Sequence, residues 1–123
     1  SFTYIDDIVE GVIRTLDAVP DGNPGWNGKA PDPASSLAPY RIFNIGNEKP
    51  VPLLRYIDVL EQCLGRKAQM EMLPLQAGDV PDTEADMSSL TSAVGYCPQV
   101  SVEEGVANFV RWYRDYYRVP DQT

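Results

Sequence analysis

The sequence predicts an α/β chain with a few short strands and about four helices. Three observations predict it. Apolar residues recur at helical spacing in four segments, short β-branched or aromatic runs stand between them, and Gly or Pro marks the junctions. At 123 residues the chain is one domain at most, long enough to bury a real core.

The first element is Phe2 to Ile5, aromatic and β-branched, which reads as a strand. Asp6 or Asp7 is the expected cap of the helix that follows, since a carboxylate suits the positive end of the helix dipole. Ile8, Val9, Val12, Ile13 and Leu16 form its apolar face, Glu10 and Arg14 pair on the outer face, and the helix stops before Pro20. Residues 20–39 hold five of the eleven prolines and three of the nine glycines, and read as a long surface loop pinned by Trp26.

Tyr40 to Gly46 is the second expected strand, and Asn47 to Pro50 the turn after it. A helix over Leu53–Leu64 ends at Gly65, which fits the left-handed residue that closes many helices. Ala68 to Leu73 alternates enough to be a third strand. A loop over 76–85 leads to Asp86, the expected cap of a short helix over 88–94 that Gly95 terminates. Ser101-Val102-Glu103-Glu104 is a capping box, Ser at the cap and Glu at the third helical position. It opens a last helix to about Tyr117, with Val102, Val106, Phe109, Val110 and Tyr113 as its stripe.

The composition argues against several classes of function. Eighteen acidic residues against ten basic ones leave a net charge of −8, the wrong sign for nucleic acid or an anionic membrane surface. No apolar run approaches the roughly 20 residues of a membrane span. There is no His, which removes Ser-His-Asp and Cys-His catalysis. Cys63 and Cys97 have no metal spacing and read as reduced core thiols.

Local clusters have plain structural readings. Asp79, Asp82, Glu84 and Asp86 lack the mid-loop Gly and closing Glu of a calcium loop, so no metal is expected. Asp6-Asp7 could be an acid/base pair, but a cap plus a first-turn acid explains it. Trp112, Tyr113, Tyr116 and Tyr117 fit core and rim of an amphipathic helix, with Arg111, Arg114 and Arg118 on a solvated face. Neither a Gly-rich phosphate loop nor a Tyr-x-x-x-Lys pair occurs. From these residues alone the chain is an acidic α/β unit with two loops of functional character.

Several segments together resemble one family. Ser1-Phe2-Thr3-Tyr4-Ile5-Asp6-Asp7-Ile8 resembles the Arg-Asp-Phe-Thr-Tyr-Val-Asp-Asp segment of extended short-chain dehydrogenase/reductases that act on nucleotide sugars. Tyr40 through Asn47 resembles their Tyr-Asn-Ile-Gly strand, and Leu75-Gln76-Ala77-Gly78-Asp79-Val80 with Ala85-Asp86 their substrate loop. Glu103-Glu104-Gly105 and Trp112-Tyr113 also fit. Within that superfamily the chain most resembles UDP-glucuronate 4-epimerases of capsule and lipopolysaccharide synthesis. The Asn23-Pro24-x-Trp26 loop, its run through Ala30 to Tyr40, and Gln76 before Gly78-Asp79 carry this resemblance.

The resemblance implies the C-terminal, substrate-binding part of such an enzyme, residues 1–123, without a complete Rossmann sheet. It implies a chain cut from a cytoplasmic, homodimeric protein, with NAD, the catalytic Ser/Thr and the Tyr-x-x-x-Lys in an N-terminal Rossmann domain of about 180 residues. No catalytic, cofactor-binding or metal residue is then expected in this chain, which alone is expected to be inactive. By the same resemblance Asp79 accepts hydrogen bonds from the ribose, Gln76 approaches the diphosphate or ribose, and Phe2 lies beside the uridine–diphosphate segment. Many family members carry Arg where Gln76 stands; Gln donates only a neutral hydrogen bond. A nucleotide-sugar 4,6-dehydratase or UDP-glucuronate decarboxylase shares these features, and a non-catalytic interaction module is the alternative from another class. The family architecture also implies an unpaired edge at Tyr40–Gly46 and an exposed apolar surface that seeks a partner.

Overall fold

The computed structural model describes residues 1–120. Four helices appear in the expected order: α1 Ile5–Asp17, α2 Leu53–Leu64, α3 Ser88–Val94 and α4 Val102–Tyr117. Local chemistry accounts for most of their ends. The Ser101 hydroxyl accepts from the Glu104 N–H at 3.2 Å, the Ser half of the expected capping box, and opens α4. Gly65 and Gly95 close α2 and α3 in the left-handed region, at φ 68° and 64°. A residue with a Cβ is strained there.

α2 and α4 pack against each other and form the main apolar cluster. Val59, Val106 and Val110 are buried at its centre, with Tyr56, Leu60, Cys63, Leu64 and Val102 around them. Burying each such side chain contributes roughly 1.5–3 kcal/mol. Arg114 fastens the seam by donating to the Leu64 carbonyl at 3.1 Å, one of the carbonyls left open at the end of α2. Met87 and Leu90 are fully buried in a second centre beside α1 and the 45–47 segment.

Three expectations are corrected. No strand forms among the described residues; the sole ladder contact is an isolated antiparallel bridge between Ser35 and Arg41. Strands exist by pairing main chains, and no continuous main-chain pairing runs along the three expected segments. Ser1 and Thr3 reach Asn47 with side-chain hydroxyls rather than with a ladder. The Ala68 N–H donates to Glu61 Oε1 at 2.7 Å, and the 68–73 segment lies fully exposed.

The second correction concerns the acids at the start of α1. Its cap is Tyr4, which makes no side-chain capping bond. Asp7 is buried instead, and its carboxylate accepts from the Tyr96 hydroxyl at 2.8 Å, the Val100 N–H at 2.9 Å and the Gln99 N–H at 3.2 Å. Asp86 lies one residue before the α3 cap Met87, yet its Oδ1 still accepts from the Ser88 N–H at 2.9 Å.

The third correction is the face by which α1 docks. Its buried residues are Asp7 and Gly11, not the apolar stripe. A Cβ on Gly11 would stand 2.2 Å from Ile45 Cδ1, so the helix approaches the 45-segment through the one position with no side chain. Val9, Val12 and Ile13 are about half exposed and Leu16 is 73% exposed. Phe109 and Tyr113 of the expected α4 stripe are exposed too, as are Leu53 and Leu54 at the start of α2.

Residues 20–39 are tied by polar contacts. Ser35, buried, donates to Asp32 Oδ2 at 2.6 Å and accepts from Asn23 Nδ2 at 3.0 Å. The Ala34 N–H also donates to Asp32 at 2.9 Å. These donors, Ser35 first, hold the Asp32 carboxyl below its ordinary range. Trp26 pins the loop by donating from its indole N–H to the Asp32 carbonyl at 3.1 Å. Gly22 is required: a Cβ there would meet the Leu37 carbonyl oxygen at 2.2 Å.

Candidate functional site

The first part of the candidate site is the segment before α1. Phe2 is half-buried and its ring stacks on Tyr56 of α2, centroids 4.2 Å apart at 20°. Offset stacking of this kind adds about 0.5–1.5 kcal/mol beyond burial. The pair walls a cleft of about 220 Å³ that Thr3, Tyr4, Val102, Gly105 and Phe109 also line. Gly105 lets Tyr4 in close, since a Cβ there would lie 3.3 Å from the Tyr4 ring.

Phe2 is held from both sides by Asn47. The Ser1 hydroxyl donates to the Asn47 carbonyl at 2.8 Å, and the Asn47 N–H donates to Thr3 Oγ1 at 2.9 Å. Asn47 is buried, and its side chain donates to the Val100 carbonyl at 3.2 Å and accepts from the Lys49 N–H at 2.9 Å. Val100 is thus gripped at both main-chain groups, by Asp7 on its N–H and by Asn47 on its carbonyl.

The second part is the turn carrying Gln76 and Asp79. The Asp79 N–H donates to the Gln76 carbonyl at 3.2 Å, and Gly78 sits at φ 94°. A positive φ at the third residue of a four-residue turn favours Gly, which explains Gly78. Gln76 and Asp79 therefore stand at the two ends of one turn, both exposed, and no side-chain hydrogen bond holds either among the described residues.

The two parts do not share a wall: Gln76 and Asp79 do not line the Phe2 cleft. They are tied through the end of the loop. The Ser1 nitrogen donates to the Thr83 carbonyl at 3.0 Å, and the Gly46 N–H donates to the buried Met87 Sδ at 3.1 Å. The four residue-to-residue steps from Asp79 to Thr83 span at most about 14 Å, which bounds how far the turn can swing from Ser1.

Sequence reasoning missed Thr3, Asn47 and Tyr56. The nearest signal is the Ser-x-Thr pattern around Phe2, and small polar residues are too common at strand-like starts to be read as a clamp. Asp7 is a first-turn acid, but its carboxylate serves Tyr96, Gln99 and Val100 rather than the helix cap. Burial and Glu48 push the Cys97 thiol up, so it favours the neutral form, and Cys63 packs on the α2–α4 cluster.

Among the described residues, no group of three His, Cys, Asp or Glu is placed to hold a metal ion, and no helix is long and apolar enough to cross a membrane. The residues present do not fit a dinucleotide. Asp6 and Asp7 occupy the first turn of α1, and Glu103 and Glu104 that of α4, where they repel a pyrophosphate. α2 is entered through Pro50-Val51-Pro52, with no glycine to admit a phosphate.

No family model matches. The chain is 51% identical over 118 residues to an uncharacterized 37.6 kDa protein of Escherichia coli O111:H-, a match covering 96% of this chain and 35% of that protein. It is 42% identical to Protein CapI of Staphylococcus aureus, covering 95% of this chain and 35% of CapI. It is 46% identical to the "Probable UDP-glucuronate 4-epimerase" of Rhizobium meliloti, again over 95% of this chain and 35% of the other. Among solved structures, UDP-glucose 4-epimerase from Bifidobacterium longum, in complex with NAD+ and UDP, shares the fold at a TM-score of 0.65 and 17% identity. That likeness covers 89% of this chain and 28% of the other. The chain spans about a third of the length of these curated relatives. Over nearly its whole length it is homologous to one part of proteins named as UDP-glucuronate 4-epimerases.

Proposed function

We propose that this chain is the C-terminal, nucleotide-sugar-binding part of an NAD-dependent UDP-sugar 4-epimerase of surface-polysaccharide synthesis, converting UDP-glucuronate to UDP-galacturonate. The observation that carries the reading is the similarity along about 95% of the chain to proteins bearing that name. The whole protein is cytoplasmic and homodimeric in this reading. Residues 1–123 form one unit, with 20–39 as a loop on it. NAD and the hydride chemistry belong to a Rossmann domain outside this chain, which alone turns nothing over.

The residue roles are those the family resemblance implies, and the chemistry of the side chains supports them. Asp79 is an exposed carboxylate suited to accept from two vicinal ribose hydroxyls. Gln76, at the other end of the same turn, donates an amide N–H toward the diphosphate or ribose. Phe2 supplies an apolar wall beside the uridine–diphosphate segment. Net charge of −8 makes the grip on phosphate depend on donors beyond Gln76.

The test is a titration of isotopically labelled chain with UDP and UDP-glucuronate, followed at the amides of Phe2, Gln76 and Asp79. Saturable shifts at all three support the reading; no shift at any of them at millimolar ligand ends it. In a protein of the relatives' length, product mass separates the reactions. A 4-epimerase leaves the mass of the nucleotide sugar unchanged, a dehydratase removes water and a decarboxylase removes carbon dioxide.

A further inference from the structure

The two segments assigned to the ligand hang on one dipeptide, Gly46-Asn47. Both main-chain polar groups of Asn47 are taken by the hydroxyls flanking Phe2, Ser1 on the carbonyl and Thr3 on the N–H. Gly46 carries the other segment. Its N–H donates to Met87 Sδ, and a Cβ on it would stand 2.9 Å from Ala85 Cβ, 3.8 Å from Thr3 Oγ1 and 3.9 Å from Ser1 Oγ. The end of the Gln76–Asp79 loop and the Phe2 segment therefore close on the same glycine. Asn47 is largely buried, so losing the Thr3 acceptor costs its N–H a partner inside the fold.

Between two anchored neighbours, Phe2 has little main-chain freedom, and its ring is delivered onto Tyr56. We propose that Thr3 is a positioning residue: through Asn47 its hydroxyl fixes the Phe2 ring against Tyr56 and sets that wall in register with the Gln76–Asp79 turn. Thr3 touches no ligand in this account. It acts through Phe2, and its effect on ligand rests on the nucleotide-sugar reading above, whereas its effect on the ring does not.

The test compares Thr3→Val, Thr3→Ser and Ser1→Ala in this chain. Val keeps the shape and removes the acceptor; Ser keeps the acceptor and removes a methyl. Without ligand, the Tyr56 ring protons, shielded by the stacked Phe2, are read by NMR. Thr3→Val is expected to abolish that shielding while the α2–α4 core resonances stay in place, Ser1→Ala to reduce it, and Thr3→Ser to restore it. In UDP titration, Thr3→Val is expected to weaken binding about tenfold and Thr3→Ser by less than about twofold, the scale of one lost buried acceptor. Asp79→Asn serves as the control for the nucleotide reading. Shielding unchanged in Thr3→Val, or lost equally in Thr3→Ser, overturns the positioning role. If UDP shifts nothing in the unsubstituted chain the nucleotide reading falls, and the ring measurement still decides the role of Thr3.

Discussion

The Tyr96 hydroxyl donates to Asp7 Oδ1 at 2.8 Å across 89 residues of sequence, and also reaches the Asp7 main-chain carbonyl at 3.1 Å. Arg14 lies over the same ring, 4.9 Å from its centroid. One buried carboxylate thus joins the first turn of α1 to the segment that leads into the Ser101 cap of α4. Removing a partner here leaves buried N–H groups unpaired, which costs more than the bond itself contributes. Asp7→Asn retains only one acceptor oxygen for three donors, and is expected to destabilise the chain by about 1–3 kcal/mol in urea unfolding. Tyr96→Phe, which removes a donor and leaves the main-chain donors paired, is expected to cost about 0.5–1.5 kcal/mol.

Burial, and then the hydrogen bond and charge of Asp7, push the Tyr96 phenol up from 10.0 to about 12. The unfolded chain releases that proton more easily than the folded one. Stability from this group is therefore complete below about pH 10 and is lost as pH rises toward 12. Stability measured between those values is expected to fall more steeply for the unsubstituted chain than for Tyr96→Phe; parallel curves would contradict this.

Glu61 shapes the acid side. Its carboxylate pairs with Lys67 and accepts from the Ala68 N–H, and these two partners, Lys67 first, hold it below its ordinary 4.5. The folded chain favours the charged form, so this stabilisation is present above 4.5 and disappears as falling pH protonates the carboxylate in the fold. Glu61→Gln is expected to flatten the loss of stability below that pH and to release the 65–68 turn, read as faster amide exchange at Ala68.

Gly22 faces the Leu37 carbonyl with no space for a methyl. Gly22→Ala is expected to open the 20–39 loop, seen as protease cleavage near Trp26, while the helical circular dichroism persists. Loss of helix with the loop would show that the loop is part of the core.

The stripe of Val12, Ile13 and Leu16 stands outward on α1. Val12→Lys with Leu16→Glu is expected to lower surface-dye binding and self-association and to change unfolding stability by no more than about 0.5 kcal/mol per site. A large loss of stability would mean that this face is already covered.

Local chemistry in the sequence determined the helices. The span of α2, the Gly65 and Gly95 stops and the Ser101 capping box each depend on groups within a few residues of one another, so they are legible one turn at a time. The loops over 20–39 and 76–85 are legible for the same reason, since Pro and Gly act on their own main chain. What only the tertiary structure decided is pairing over distance. Tyr40–Gly46 has strand composition, yet a strand needs continuous pairing with a neighbouring main chain, and here the pairing is limited to the Ser35–Arg41 bridge and the Ile42 N–H donating to the Ala34 carbonyl. Asp7 has the composition of a helix cap, yet its partners Tyr96, Gln99 and Val100 come from the far end of the chain. The candidate site divides along the same line. Gln76 and Asp79 belong to a local turn, whereas the clamp on Phe2 by Thr3 and Asn47 joins residues 44 apart, and no spacing in the sequence encodes it.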